Sequence, residues 1–222
     1  MDILQAMRAR HSVRAFTQQP ILPETAQALR EELERSNAES GLHMQLITDE
    51  PEAFSSFLAH YGKFSGVRNY IAVVGGKGAG EQAGYFGERA VLLAQSLGLN
   101  SCWVALSFAQ GKTKKKLSIG KGEKLFCVIA LGYGVTQGVP HKSKKFEQVC
   151  REKDVPAWFR AGVEAALLAP TAVNQQKFRF EAVGERGVRA VQTGGFCRSL
   201  DLGILKYHFE CGAGKENFTW SD

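Results

Sequence analysis

Two nearly continuous apolar runs constrain the fold of this 222-residue chain more than any other feature. Residues 69–76 read NYIAVVGG and residues 125–134 read LFCVIALGYG. An uninterrupted apolar strand is typical of burial on both faces, whereas a strand with one face exposed to solvent alternates apolar and polar residues. The two runs therefore predict central strands of a sheet that is covered on both sides.

Helices and shorter strands are predicted around these runs. Apolar residues at helical spacing, proline starts and glycine ends indicate helices at 3–10, 23–35, 52–60, 80–97, 155–169 and 196–214. Alternating patterns indicate strands at 42–48, 101–106, 177–183 and 187–193, with a further edge strand near 216–220. The stretch 111–124 is a basic helix or loop, and 145–151 is one or two helical turns.

The composition places the chain among ordinary globular proteins, with 44% hydrophobic and 23% charged residues. The net charge of +6 suits an anionic ligand and does not demand nucleic acid. The five cysteines form no C-x-x-C pair, which indicates reduced thiols rather than a zinc site or disulfide framework. No run approaches the ~18 apolar residues of a membrane span and the N-terminus lacks a signal-like segment, so a cytoplasmic protein is expected.

The segment RARHSVRAF, residues 8–16, crowds polar groups at the end of the first helix. Arg10 and Arg14 can grip a phosphate bidentately, and Ser12 can complete the cradle beside His11. Taken alone, the segment better fits a solvated basic helix end.

Three other segments could contribute to a binding site. In HKSKKF, Lys142 and Lys144 would point to one side of an extended chain. GLNSCWVAL carries Trp103 from a helix end into a strand, and LLAPTAVNQQKFRF, residues 167–180, places hydroxyl and amide groups between a helix and a strand. Alone, the first fits a solvated charge run and the second an ordinary core strand.

Together these segments resemble the flavin-dependent nitroreductase family. RHSVRAF resembles its R-x-S-x-R signature, APTAVNQQKF its A-P-S-x-x-N-x-Q-P-W loop, and GLNSCWV its G-L-G-x-x-W segment. GYG followed by KSK resembles the G-Y-P and K-x-R that close the phosphate site. The resemblance covers most of the chain and lies in the joint presence of the motifs.

The resemblance implies an α+β fold of three α/β/α layers, with a central mixed sheet and helices on both faces. It also implies an FMN site, with NADH or NADPH as reductant and a small electron-poor molecule as acceptor. The implied cofactor-binding residues are Arg10, His11, Ser12, Arg14, Trp103, Val104, Ala105, Lys142, Lys144, Pro170, Thr171, Ala172 and Asn174. The flavin carries the chemistry, so no catalytic acid or base is expected; Lys63 is a candidate donor to negative charge on the ring.

The order of the motifs departs from the family pattern. In the family the Pro-Ser loop follows the second helix, whereas here it lies at Pro170, with Lys177 and Phe178 replacing the usual Pro and Trp. In the family's dimers, the phosphate site and this loop come from different subunits. The displacement suggests a single domain of two interlocked pseudo-repeats, about 1–150 and 151–222, in which one chain builds one complete site as a monomer or homodimer.

Three alternatives remain open at this point. GAGEQA, residues 78–83, fits the G-x-G-x-x-A of a dinucleotide-binding fold, although no acidic residue ends the next strand. The lysines of 112–116 could contact nucleic acid, but no recognised nucleic-acid motif accompanies them. A flavin-binding sensor or store without turnover is the remaining alternative. Neither metal-ligand spacing of the histidines nor a G-x-S-x-G elbow appears.

Overall fold

The computed structural model describes residues 1–221. Its α-helices are α1 (Ile3–Ala9), α2 (Pro23–Ser40), α3 (Phe57–Tyr61), α4 (Gly80–Ser96), α5 (Gln110–Lys114), α6 (Phe146–Val149), α7 (Ala157–Ala166) and α8 (Arg198–Ala213). Its strands are β1 (Gln45–Ile47), β2 (Asn69–Gly76), β3 (Asn100–Val104), β4 (Glu123–Gly132), β5 (Phe178–Val183), β6 (Gly187–Gln192) and β7 (Thr219–Trp220). None of the helices within this range is long and apolar enough to cross a bilayer.

The first sheet has the strand order β1-β2-β4-β3, and each neighbouring pair is antiparallel. The chain that follows α1 runs along the outer edge of β3, where Ser12 bridges Ser101 in the parallel sense. This parallel contact makes the sheet mixed, and it ties the N-terminal segment to the strand that carries Trp103.

Strand β2 is buried on both of its faces, as its apolar sequence predicts. Ile71 and Val73 pack in the cluster formed with α2 and α4. Tyr70 and Ala72 point to the opposite face, which the helical turns of 52–61 help to cover. Helices therefore lie on both faces of the sheet, and the predicted α/β/α layering is confirmed.

The second sheet has the order β5-β6-β7 and packs against α7 and α8. Strands β5 and β6 are antiparallel, whereas β6 and β7 are parallel. Aromatic side chains dominate this core: the rings of Phe180 and Phe209 stack with centroids 4.9 Å apart. The C-terminal sheet thus has a core of its own beside the larger one.

A row of glycines lets α8 approach α4 closely. A Cβ added at Gly84 would lie 2.0 Å from the carbonyl oxygen of Leu200, and one at Gly80 would lie 2.2 Å from Oγ of Ser199. This packing accounts for Gly80, one of the two glycines that, in the sequence, fit a dinucleotide loop. The antiparallel pairing of neighbouring strands also differs from the parallel sheet of a dinucleotide-binding fold.

Several element boundaries differ from those predicted. Helix α2 continues to Ser40 and ends where Gly41 adopts a left-handed conformation with φ 71°. The helix expected over 52–60 is broken into a 3₁₀ turn and α3, because Ser56 caps α3 by accepting a hydrogen bond from the Ala59 amide. The basic segment is helical only in α5.

Candidate functional site

A cavity of about 660 Å³ brings together the segments that the sequence analysis singled out. This volume is typical of small-molecule and cofactor pockets. The predicted residues that line it are Arg10, His11, Ser12, Arg14, Trp103, Val104, Ala105, Pro170, Thr171, Ala172 and Asn174. Residues that are distant in the sequence therefore line the same cavity.

The N-terminal segment is held at the cavity by backbone hydrogen bonds. Arg10 is the C-cap of α1, and its extended backbone turns the chain out of the helix. The Val13 amide then donates to the Ser101 carbonyl at 3.0 Å, and the Ser65 amide donates to the Arg14 carbonyl at 3.0 Å. The two arginines are thereby fixed relative to the edge of the first sheet.

Positive charge in the cavity comes from arginine rather than histidine. Arg10 is only 3% exposed, and its Nε is buried without a hydrogen bond among the described residues. Burial, and then the nearby Arg10, lower the pKa of His11, and burial is the main cause that lowers the pKa of His141. Both histidines therefore favour the neutral form near pH 7, whereas Arg10 and Arg14 stay charged.

Strand β3 supplies another part of the wall. The Trp103 ring lies against α4 at Gly87, where an added Cβ would be 2.5 Å from the ring, and its Nε1 donates to Oε2 of Glu88 at 2.8 Å. Val104 and Ala105 follow along the lining. The indole is therefore held by both shape and hydrogen bonding.

The loop after α7 is held by its own amide side chains. Asn174 and Gln176 donate to the Lys142 carbonyl at 3.0 and 2.8 Å. Gln175 donates to Oδ2 of Asp201 at 2.7 Å. These amides, which in the sequence look available for a ligand, are engaged in fixing the loop against its neighbours.

The same loop has an unusual backbone. Val173, Asn174 and Gln176 have positive φ angles of 46°, 53° and 44°. A β-branched residue in this region is strained, at a cost on the order of 1–3 kcal/mol. The Val173 side chain is 81% exposed, so its own burial does not offset that cost. The hydrogen bonds of the loop therefore impose a shape that its sequence does not prefer.

Asp201, near the start of α8, is the acidic residue of the cavity lining. It is 3% exposed and accepts hydrogen bonds from the Ala172 amide at 3.0 Å and from the Gln175 side chain. Burial raises its pKa to about 6, against the lowering effect of these donors. The carboxyl group thus fixes the loop where it passes the cavity.

The three predicted lysines lie outside the cavity lining. Lys144 donates its ammonium to the Gln176 carbonyl at 2.5 Å, and Lys142 offers its carbonyl to the loop. The segment that carries Lys142 and Lys144 runs beside the loop and forms hydrogen bonds with its polar groups. Both lysines therefore support the loop and do not line the cavity. Lys63 is exposed, between Gly62 and Phe64 of the lining.

The lining also contains residues that the sequence analysis did not select. They are chiefly His141, Phe196, Cys197, Leu200, Asp201 and Ile204. His141 lies next to Lys142 in the sequence, and this proximity to a predicted segment could have indicated that it lines the cavity. The others belong to the first turns of α8 and the residues before it, which reach the cavity only through the packing of α8 on α4.

Cysteine chemistry finds no support in this cavity. Cys102, Cys127 and Cys197 line it as free thiols, and burial raises the pKa of each. A thiol held protonated is a poor nucleophile. Within residues 1–221, His, Cys, Asp and Glu form no group of three that could hold a metal ion.

Comparison with known proteins identifies relatives of this architecture. A family model described as "Putative TM nitroreductase" matches residues 2–213. A crystal structure described as a "putative nitroreductase" from Thermotoga maritima MSB8 matches with a TM-score of 0.69 and 22% identity, covering 97% of this chain and 85% of that one. No curated protein matches the sequence.

Two further solved structures share the fold over a smaller part of the chain. A "putative nitroreductase" from Desulfovibrio desulfuricans, crystallised in complex with FMN, has a TM-score of 0.55 and 20% identity, covering 70% of this chain and 99% of its own. A "Putative NADH dehydrogenase/NAD(P)H nitroreductase" from Bacteroides thetaiotaomicron has a TM-score of 0.52 and 18% identity, covering 66% and 95%. The predicted nitroreductase-like fold is thus confirmed.

Proposed function

Because the chain belongs to the nitroreductase family whose model spans residues 2–213, we propose that it is an FMN-dependent oxidoreductase. The observation that carries this proposal is the shared cavity, which joins the arginines after α1 to the loop after α7. A ligand with an anionic end and a flat end suits such a cavity. The FMN in the D. desulfuricans structure of the same fold supports this choice.

The residues fit FMN on a specific observation. The Nε of Arg10 is buried and makes no hydrogen bond among the described residues, and its ion-pair partner, Oε1 of Glu88, stands 3.7 Å away. A phosphate oxygen is the acceptor that a guanidinium best matches. Arg14 adds a second cation to the same lining. An anionic group in the cavity would therefore meet two guanidinium groups.

The two ends of the cavity would have different tasks. Arg10, Ser12 and Arg14 would hold the phosphate and ribityl chain, while Pro170, Thr171 and Ala172 would bound the ring, with Trp103–Ala105 also in the lining. Bound FMN would supply hydride transfer from NADH or NADPH to an electron-poor acceptor. The protein would orient the ring and keep it in a partly apolar site.

The proposal is tested on the purified protein with added FMN. We expect a yellow protein that releases FMN on heating and whose flavin colour bleaches rapidly with NADH or NADPH without oxygen. A protein that takes up no FMN would overturn the proposal. Uptake of FMN without bleaching would leave the alternative, a flavin-binding protein without turnover.

Arg14→Ala should weaken FMN binding about ten- to a hundredfold, because a hydrogen bond to a charged group contributes about 1.5–3 kcal/mol. Equilibrium titration of FMN fluorescence measures this change. Arg8→Ala is the matched control, since Arg8 is an exposed arginine of α1 outside the cavity lining. Equal FMN affinities of the two variants would contradict the assignment of Arg14 to the phosphate.

A further inference from the structure

A buried carboxylate lies directly behind two residues of the cavity wall. Glu88 of α4 is fully buried and contacts partners from three elements. Trp103 of β3 donates to its Oε2 at 2.8 Å, His208 of α8 lies with Nε2 2.9 Å from its Oε1, and Arg10 lies with Nε 3.7 Å from Oε1. Arg10 and Trp103 line the cavity, whereas Glu88 and His208 do not.

The hydrogen bonds of His208 indicate how it pairs with Glu88. His208 is also fully buried, and its Nδ1 lies 3.0 Å from the Ala165 carbonyl of α7. A carbonyl only accepts, so Nδ1 must carry a hydrogen. A second hydrogen then lies between Nε2 and Oε1 of Glu88, which are 2.9 Å apart. Whichever of the two atoms holds that hydrogen, the Glu88–His208 pair has no net charge.

The lack of net charge on the Glu88–His208 pair changes what Arg10 can do. A buried carboxylate needs a hydrogen-bonded counter-charge. His208 and Trp103 provide the hydrogen bonds to Glu88, while Arg10 stands at 3.7 Å without one. The charges of Arg10, Glu88 and His208 then leave a net positive charge at the cavity wall.

We propose that Glu88 and His208 form a positioning pair that fixes Arg10 and Trp103 in the cavity wall. Glu88 orients the indole and the guanidinium, and His208 neutralises Glu88, so that the Arg10 charge stays available to an anionic ligand. Neither residue touches the ligand. This inference rests on the proposed function, with FMN as the ligand.

The pair is tested by FMN titration of three variants. Glu88→Gln replaces a pair without net charge by an amide beside an imidazole, so the net charge is kept and only positioning is lost. We expect about tenfold weaker FMN binding. His208→Gln leaves Glu88 without its counter-charge and draws Arg10 toward it, so we expect a loss of about a hundredfold.

The double variant Glu88→Gln, His208→Gln gives the sharpest test. It removes both ionisable groups of the pair and frees Arg10 again, so it should bind FMN about tenfold more tightly than His208→Gln alone. If the two residues served only as core packing, the double variant would bind FMN no better than His208→Gln alone. That result would overturn the inference.

A matched control is available on α8. Glu210 is also a buried carboxylate that accepts from an indole, Trp220 Nε1 at 2.8 Å, but it lies outside the cavity lining. Glu210→Gln should alter the urea midpoint and leave FMN affinity unchanged. Should His208→Gln fail to fold, equal FMN affinities of Glu88→Gln and Glu210→Gln would overturn the inference.

A second readout needs no flavin. In the flavin-free protein, ¹⁵N NMR of the histidine rings should show His208 with a hydrogen on Nδ1 and with a hydrogen bond at Nε2, and Glu88→Gln should shift the Nε2 resonance. An Nε2 resonance that is unchanged in Glu88→Gln would refute the Glu88–His208 pair. Failure of the unsubstituted protein to bind FMN would instead refute the proposed function, so the two failures are distinguishable.

Discussion

A carboxylate is costly to bury, and Asp201 is buried in the cavity wall with a pKa raised from 3.8 to about 6. The folded protein therefore holds this proton more tightly than the unfolded chain. The resulting stabilisation is complete below about pH 4 and is lost as the pH rises through 6, a change of about 3 kcal/mol. The Asp201→Asn variant lacks this carboxyl group, so its stability does not contain this pH-dependent contribution. Relative to the unsubstituted protein, its unfolding free energy should rise by about this amount between pH 4 and 7, as measured by urea titration.

Glu123 provides a control of opposite sign. The Gly120 amide, and then His43, lower the pKa of this carboxyl. Its contribution to stability is therefore present above its unfolded pKa and is lost as the pH falls. Glu123→Gln should lose stability relative to the unsubstituted protein as the pH rises from 4 to 7. An Asp201→Asn difference that moves in the same direction would contradict the assignment to Asp201.

At the scale of elements, the contact between α4 and α8 decides whether the cavity forms. A Cβ at Gly203 would lie 1.9 Å from the Glu81 carbonyl, and one at Gly84 would lie 2.0 Å from the Leu200 carbonyl. Gly84→Ala should therefore lower the unfolding free energy by about 1–3 kcal/mol, since backbone has to move. Gly111→Ala, in α5 with open space, should be neutral or stabilising by up to about 1 kcal/mol. Thermal unfolding of both variants checks this, and a Gly84→Ala protein as stable as Gly111→Ala would contradict the packing argument.

The elements and the cavity residues could be predicted from the sequence to different degrees. The apolar run of β2 identifies a central strand, and the polar residues at Arg10–Arg14 and Pro170–Asn174 indicate segments that line the cavity. Asp201 and Glu88 had no local signal, because each acts through residues distant in the chain. The amide side chains of the loop were recognisable as important, but their hydrogen-bond partners were not.

At the scale of the whole molecule, and apart from α3, α5 and β4, the order α1, α2, β1, β2, α4, β3 recurs as α6, α7, β5, β6, α8, β7. The α4–α8 contacts are reciprocal: Gly84 meets Leu200, and Gly203 meets Glu81, three residues earlier in each helix. Such reciprocity is typical of a two-fold interface. We propose that the chain is a fused, decayed pseudo-dimer whose halves divide just before Phe146, near the predicted boundary at 150.

This arrangement predicts one flavin per chain in a monomer. The residues proposed to hold the phosphate lie in the first half and the loop proposed to bound the ring in the second, so one chain would complete one site. Flavin absorbance measured against protein mass, together with sedimentation of the FMN-loaded protein, checks both numbers. Two flavins per chain, or binding confined to a dimer, would refute the pseudo-dimer proposal.

The sequence by itself determined the central strands, the helices around them and the chemistry of the binding segments, because hydrophobic periodicity and functional-group type are local properties. Only the tertiary structure decided which segments meet. Arg10 and the Pro170 loop line one cavity because α8 packs against α4 through glycine contacts. The Lys142 carbonyl and Asp201, rather than a ligand, take up the loop amides, because buried polar groups must be paired wherever the chain brings them together.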